Sequence, residues 1–210
     1  RIVTGVQTWL FRSGAIHHVI YVNELDNEEM LNNPENRCYL CKKYLFQNLL
    51  AFAAEKGIDT IMEGNNADDL HVYRPGTKAV KELGVLSPLA ELGITKAQVR
   101  EIAADMGLSC ASRPSSPCLA TRLPYGTPIS FELLERVDTG EQWMKEQGFP
   151  IVRLRVHGDI LRIEIEKERF ADFIAMSDQI TAKMKELGFA YITLDAEGFR
   201  SGSMDVHIVK

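Results

Sequence analysis

Four cysteines stand at uneven spacing in the chain: Cys38, Cys41, Cys110 and Cys118. Cys38 and Cys41 lie where a helical pattern begins, with Leu45, Leu49, Phe52 and Ala53 recurring at helical spacing up to Gly57. Two thiols three residues apart at a helix start face the same way. Helix N-termini favour thiolate, the form that binds metal and attacks carbon, and Lys42 and Lys43 add positive charge. Cys118 sits in PSSPCLATRLPYG (114–126), a stretch with no regular periodicity. Two close thiolates and a distant third suit a 4Fe–4S cluster with one iron left open. Buried, inert thiols are one rival reading. Zinc is another, with Cys110-x7-Cys118 an irregular second half. A thioredoxin-type pair would need a strand where the loop NNPENR (32–37) stands.

A second constellation is basic. Residues 151–157 and 160–166 alternate like two strands, joined by the two-residue turn Gly158-Asp159. Val152, Leu154 and Val156 then point one way, and Arg153, Arg155 and His157 the other. That turn sets Arg155 opposite Arg162 and Arg153 opposite Glu164. Like charges directly opposed are destabilising, and an anion between them removes the penalty. The face is therefore a candidate phosphate site, to which Arg200, Ser201 and Ser203 of GFRSGS (198–203) can add donors. The alternative is a solvated sheet face with ordinary surface arginines.

A third group is Gly64, Asn66 and Asp69 in EGNNADD (63–69), after a short strand at Thr60–Met62. Loops at strand carboxyl ends are where open α/β sheets bind ligands. Gly64 lets a backbone approach closely, and Asn66 and Asp69 can bond a ribose or a metal. The same residue types are also the default formers of plain turns.

The elements that must carry these groups follow from periodicity. Residues 16–22 read as a strand. Thr95 opens a helix by capping-box spacing to Gln98, with Val99, Ile102, Ala103 and Met106 as its buried face and Gly107 as its end. Alternating strand and helix predict a doubly wound parallel sheet in the first part. Residues 111–128 read as a functional loop and domain boundary. Beyond it come a helix over about 131–147 with Leu133, Leu134, Val137 and Met144 inward, the hairpin, a helix over about 168–187 and a strand at 191–195. MKEQGFPIVRLRV (144–156) resembles MKELGFAYITLDA (184–196), a duplicated helix–strand unit. The expected fold class is α/β, in two domains at 1–125 and 126–210, the second a small α+β domain.

The chain has 210 residues, 45% hydrophobic and 25% charged, an ordinary globular balance. Its net charge of −5 argues against broad nucleic-acid binding. No apolar run reaches the roughly 18 residues of a membrane span, and no signal-peptide pattern is visible. The cysteine usage fits a reducing compartment, the cytoplasm.

Taken together and in order, NPENRCYLCKK (33–43), EGNNADD (63–69), YRPG (73–76), GVLSPLAELGITKAQVR (84–100), PCLATRLPYG (117–126) and LDAEGFRSGSMD (194–205) resemble the LarE family. The resemblance runs from about His17 to the C-terminus. It implies the PP-loop ATP-pyrophosphatase superfamily, with a HUP-like parallel sheet in the first domain. It also implies adenylation, by ATP with Mg2+, of the carboxylate of a nicotinate-derived mononucleotide, followed by conversion to a thiocarboxylate for the nickel-pincer cofactor of lactate racemase. Adenylation gives a poor electrophile a leaving group, and a thiolate or cluster-bound sulfide then attacks the acyl carbon. Single-cysteine relatives sacrifice the sulfur at the position matching Cys118. Relatives with cysteines matching Cys38, Cys41 and Cys118 resemble carriers of a 4Fe–4S cluster, and this chain is of that kind; Cys110 has no counterpart.

The resemblance further implies nucleotide contacts at Gly64, Asn66 and Asp69, and a substrate-phosphate clamp of Arg153, Arg155 and Arg200. Glu141, Glu164 and Asp172 match a carboxylate set that can hold divalent metal at a subunit interface, against the alternative of ordinary helix-surface acids. It implies homo-oligomers. The superfamily's SGG-x-DS loop, which cradles phosphates, is absent from RIVTGVQTWLFRSGA (1–15). The expectation is therefore an N-terminally truncated piece that does not adenylate by itself, which ATP-dependent AMP release would refute. Two other functions fit parts of the pattern: an RNA-thiolating enzyme of the same superfamily, and a non-catalytic metal- or cluster-binding remnant.

Overall fold

The computed structural model describes residues 16, 18–23, 26–71, 74–112, 117–200 and 202–204. It is a mixed α/β structure of two units: 1–28 with 36–116, and 29–35 with 117–210. The break falls inside the 111–128 loop, ahead of the expected 125/126.

In the first unit, α1 (Arg37–Glu55) ends where Gly57 takes φ +67°, a left-handed turn open to glycine at little cost. α1 packs on α2 (Gly76–Glu82) around Phe46, Val80 and Val85, with Leu49, Ile61 and Leu83 against them. A 3-10 turn at Ala67–Leu70, α3 (Pro88–Glu91) and α4 (Lys96–Asp105) follow. Both hydrogen bonds of the Thr95/Gln98 capping box are present.

Three expectations for this unit need correction. Ile16 and His18–Val22 form no strand, with Ile16 and Tyr21 exposed. The Thr60–Met62 strand is reduced to one isolated parallel bridge, Met62 to Leu86. The stripe on α4 is not buried: Ile102 and Met106 are exposed, and Val99 and Ala103 only half-buried. These share one cause. A parallel sheet is a collective structure, stable when several strands pair and helices cover both faces. Among the described residues the first unit has that single bridge and no longer ladder.

In the second unit, α5 (Phe131–Glu146) leads to β1 (Val152–His157) and β2 (Ile160–Ile165). α6 (Phe170–Ala175), α7 (Ser177–Glu186) and β3 (Tyr191–Leu194) complete it. β2 is central, antiparallel to β1 and parallel to β3. The hairpin register is the one expected, Arg153 facing Glu164 and Arg155 facing Arg162. Leu154, Leu161, Ile163 and Ile165 are fully buried. A Cβ on Gly140 would lie 2.5 Å from Leu154 Cδ1 and 3.3 Å from Met184 Sδ, so glycine here lets α5 reach both β1 and α7. On α5, Val137 and Met144 are buried, and Leu133 and Leu134 half-buried. The single helix expected over 168–187 is divided at Met176, α6 ending at Ala175 and α7 beginning at Ser177.

The sequence duplication is a structural one. Phe149 donates its amide to Met144 O and Phe189 to Met184 O, both at 3.1 Å, after Gly148 and Gly188 at φ +94° and +84°. In each copy an arginine binds the glycine carbonyl and lies over the phenylalanine: Arg169 on Gly148 and Phe149, Arg136 on Gly188 and Phe189. Residues 29–35 join this unit through Asn33, fully buried, whose side chain donates to Leu123 O and Pro124 O at 3.2 and 2.9 Å. No helix among the described residues is long and apolar enough to cross a membrane.

Candidate functional site: an arginine pocket beside the Cys118 turn

Alternation in the hairpin puts Arg153, Arg155 and Arg162 on the sheet face away from the apolar core. There they line, or stand beside, a cavity of about 230 Å³ bounded by Pro117, Thr121, Arg153, Arg155, Phe199, Arg200, Gly202, Ser203 and Met204. The three arginines of the expected phosphate clamp thus meet around one cavity. Ser203 lines it too; Ser201 lies outside the described residues.

The opposed pair Arg155/Arg162 shares an internal carboxylate. Glu164, with no accessible surface, accepts from Arg155 Nε and Nη2 at 3.1 and 3.0 Å and from Arg162 Nη2 at 3.1 Å. Ser203 Oγ donates to it at 2.6 Å. Asp195 sits between Arg162 (3.2 Å) and Arg200 (3.3 Å), and Arg200 reaches Glu197 at the rim (2.6 Å). Four arginines therefore face three carboxylates, one of them exposed.

Arg153 is buried, its guanidinium over the Phe199 ring at 5.3 Å and donating to Val152 O. Burial, then the Arg122 cation, hold its pKa below the usual arginine value; Arg155 adds to this, while Glu141 and Glu164 oppose it. An incoming anion relieves the same repulsion.

His157 ends this row. Burial first, then the Arg162 and Arg155 cations, lower its pKa, and Glu164 only partly offsets them. Its Nε2 is buried with no hydrogen-bond partner among the described residues. The unfolded chain therefore takes up a proton near pH 6.5 that the folded chain refuses until lower pH. Stability is expected to fall as pH drops from about 6.5 toward the depressed folded value and to level off below it. Melting curves of the unaltered chain and of His157→Gln across this range check it; equal slopes in both refute it.

Cys118 precedes the 3-10 turn Leu119–Arg122 and is exposed, and its neighbour Pro117 lines the cavity. Cys118 O accepts from Thr121 Oγ1 at 2.7 Å. Cys38 (exposed) and Cys41 (half-buried) stand at the start of α1 in the other unit, and none of the four cysteines is in a disulfide. Gly76 lets α2 approach that turn: a Cβ there would lie 3.2 Å from Cys38 O.

Asn66 and Asp69 largely satisfy each other. The Asn66 amide and side chain donate to Asp69 Oδ2 at 3.1 and 3.0 Å, and Arg74 binds Asp69 Oδ1 at 3.0 Å. Gly64 is exposed, with nothing within 4 Å of where a Cβ would stand. Glu63 ties this loop to α1, accepting from Lys42 at 3.1 Å, from Ser87 at 2.7 Å and from the Asn65 amide at 3.2 Å.

The three carboxylates matched to a divalent metal are dispersed within the unit. Glu141 pairs with Arg122, Glu164 with Arg155 and Arg162, and Asp172 with Arg169 on the surface. Among the described residues no group of three or more His, Cys, Asp or Glu is gathered for a metal.

Sequence reasoning missed Arg122, Thr121, Phe199, Met204 and Asp195. Only the Arg122–Glu141 pair left a signal. Glu141 stands four residues after Val137 and three before Met144, on the apolar stripe of α5, where a charge demands a buried partner.

No family model matches the chain. It is 36% identical over 186 residues to the pyridinium-3,5-bisthiocarboxylic acid mononucleotide synthase of Lactiplantibacillus plantarum, covering 89% of this chain and 67% of that protein. The chain belongs to the LarE-type sulfur transferase family. An uncharacterized Synechocystis protein is 39% identical over 199 residues, covering 94% of this chain and 74% of its own. An uncharacterized Methanocaldococcus jannaschii protein is 31% identical over 174 residues, 83% of this chain and 68% of its own. As a member of the LarE-type family the protein is an enzyme of the sulfur-transferring kind, and its mixed α/β units carry the motifs on which the resemblance stood.

Proposed function

We propose that this protein is an ATP-dependent sulfur transferase. It converts the adenylated carboxylate of a pyridinium mononucleotide to a thiocarboxylate, as a step toward a nickel-pincer cofactor. The observation that carries the reading is the convergence of Arg153, Arg155 and Arg200 on one cavity whose wall continues into the Cys118 turn. A phosphate monoester fits that charge pattern, since guanidinium groups bind phosphate oxygens in pairs. Phosphate held there anchors the far end of the substrate and leaves its ring carboxylate free to approach the thiol. At the acyl carbon a C–S bond forms to sulfur as the C–O bond to AMP breaks, and AMP leaves with the electron pair; where the sulfur is that of Cys118, loss of its α-proton then breaks the Cβ–S bond, the thiocarboxylate leaving with that pair and dehydroalanine remaining.

None of Cys38, Cys41 and Cys118 is in a disulfide, and thiolates are the donors that would hold a 4Fe–4S cluster. Such a cluster would supply an exchangeable sulfide. Gly64, Asn66 and Asp69 belong to the loop assigned to ATP, with Mg2+; the mutual bonding of Asn66 and Asp69 makes their contribution a preset loop shape.

Titration of the full chain with nicotinic acid mononucleotide tests the proposal. Arg200→Glu removes one charge-assisted contact of about 1.5–3 kcal/mol, so a loss of roughly ten- to a hundredfold in affinity is expected. Nicotinate without its phosphate should bind weakly and respond little to the substitution. An affinity that Arg200→Glu leaves unchanged overturns the assignment.

A further inference from the structure

An arginine–glutamate pair is buried beneath the pocket where apolar residues would serve stability as well, because desolvation of such a pair offsets most of its attraction. Arg122 and Glu141 are each 2% exposed and meet through two bonds, Nε to Oε1 at 2.6 Å and Nη2 to Oε2 at 2.9 Å. Their remaining contacts close a circuit. Arg122 Nη1 donates to Thr121 Oγ1 at 2.8 Å and, at 3.4 Å, to Cys118 O, which Thr121 Oγ1 also binds. Glu141 Oε1 accepts from the Leu154 amide at 3.0 Å, in β1 between two pocket arginines. Arg155 returns to the turn, its Nη1 donating to Thr121 O at 2.8 Å.

We propose that Arg122 is a positioning residue. With Glu141 and Thr121 it holds the Cys118 turn in register with the strand that carries the pocket arginines, so that occupation of the pocket and placement of the thiol are coupled. The inference rests on the reading of that pocket as a phosphate site. Chains of bonds in a buried setting reinforce one another, and an anion drawn onto Arg155 acts on the same circuit that holds the Cys118 carbonyl.

Amide hydrogen exchange of residues 118–123 in the full chain, with and without inorganic phosphate, reads the coupling. The amides of Thr121 and Leu123 donate to Cys118 O and Ala120 O at 3.0 and 3.2 Å and report on the turn. Phosphate is expected to slow their exchange by about fivefold or more in the unaltered chain. Arg122→Lys keeps the charge but cannot grip Glu141 and Thr121 together. It should reduce the phosphate effect below about twofold while the phosphate Kd changes less than about threefold. Thr121→Val, close in shape and outside the buried pair, should act in the same direction and serves if the lysine variant does not fold. A purely structural role would shift exchange equally with and without phosphate. No slowing in the unaltered chain, or slowing that persists in a folded variant, overturns the positioning role and leaves the phosphate site standing. Failure of phosphate to bind the unaltered chain removes both.

Discussion

Glu164→Ala is expected to cost about 3–5 kcal/mol of stability, and much of that loss should be recovered by adding phosphate. Glu164 has no accessible surface and is the shared counter-ion of Arg155 and Arg162, which face each other across the hairpin. Removing it leaves the buried Arg155 guanidinium without its carboxylate and opposed to Arg162, and takes the partner from Ser203. A phosphate bound there supplies the missing charge and stabilises the folded state by mass action. Glu164→Gln keeps the volume and should show a smaller loss of the same kind. Denaturant unfolding with phosphate or with chloride at equal ionic strength is the measurement. Loss without recovery in both variants would mean that the pocket takes no anion and would sink the phosphate assignment.

The second large effect lies at the thiol. With the adenylated substrate supplied, Cys118→Ser should lower formation of the carbon–sulfur bond by about a thousandfold or more, because a serine hydroxyl has no sulfur to give and is a far weaker nucleophile. Binding of the mononucleotide should survive, since its phosphate partners are the arginines. Cys38→Ser and Cys41→Ser separate the two sulfur sources. If a cluster held by all three thiols supplies the sulfide, each replacement should abolish iron and sulfide in protein purified without oxygen, and turnover with them. If Cys118 gives up its own sulfur, both variants should retain a single turnover. Full activity in Cys118→Ser would refute either route.

How much was legible in advance differs between the two units. In the second, the turn Gly158-Asp159 and the period-two alternation set the register, down to Arg155 facing Arg162. The recurrence of Met-Lys-Glu-x-Gly-Phe foretold two matching helix ends, each closed by a left-handed glycine. Such features are local, since a two-residue turn admits one pairing and a glycine end needs only its own neighbours. In the first unit, helix caps were read correctly for the same reason, at Thr95 and Gly57. The buried stripe of α4 and the strands at 16–22 and 60–62 were not, because burial and ladder formation depend on what lies alongside.

The electrostatics divide in the same way. Residue types and spacing alone determined that arginines would share one sheet face and that two thiols would share one helix face. Tertiary structure alone decided which carboxylate neutralises which arginine. Glu164 is shared by Arg155 and Arg162, Glu141 is engaged by Arg122, and residues 29–35 join the second unit through Asn33. A charge carries no label for its partner along the chain, and a buried ion pair is selected by distance and desolvation, which exist only once the chain has folded.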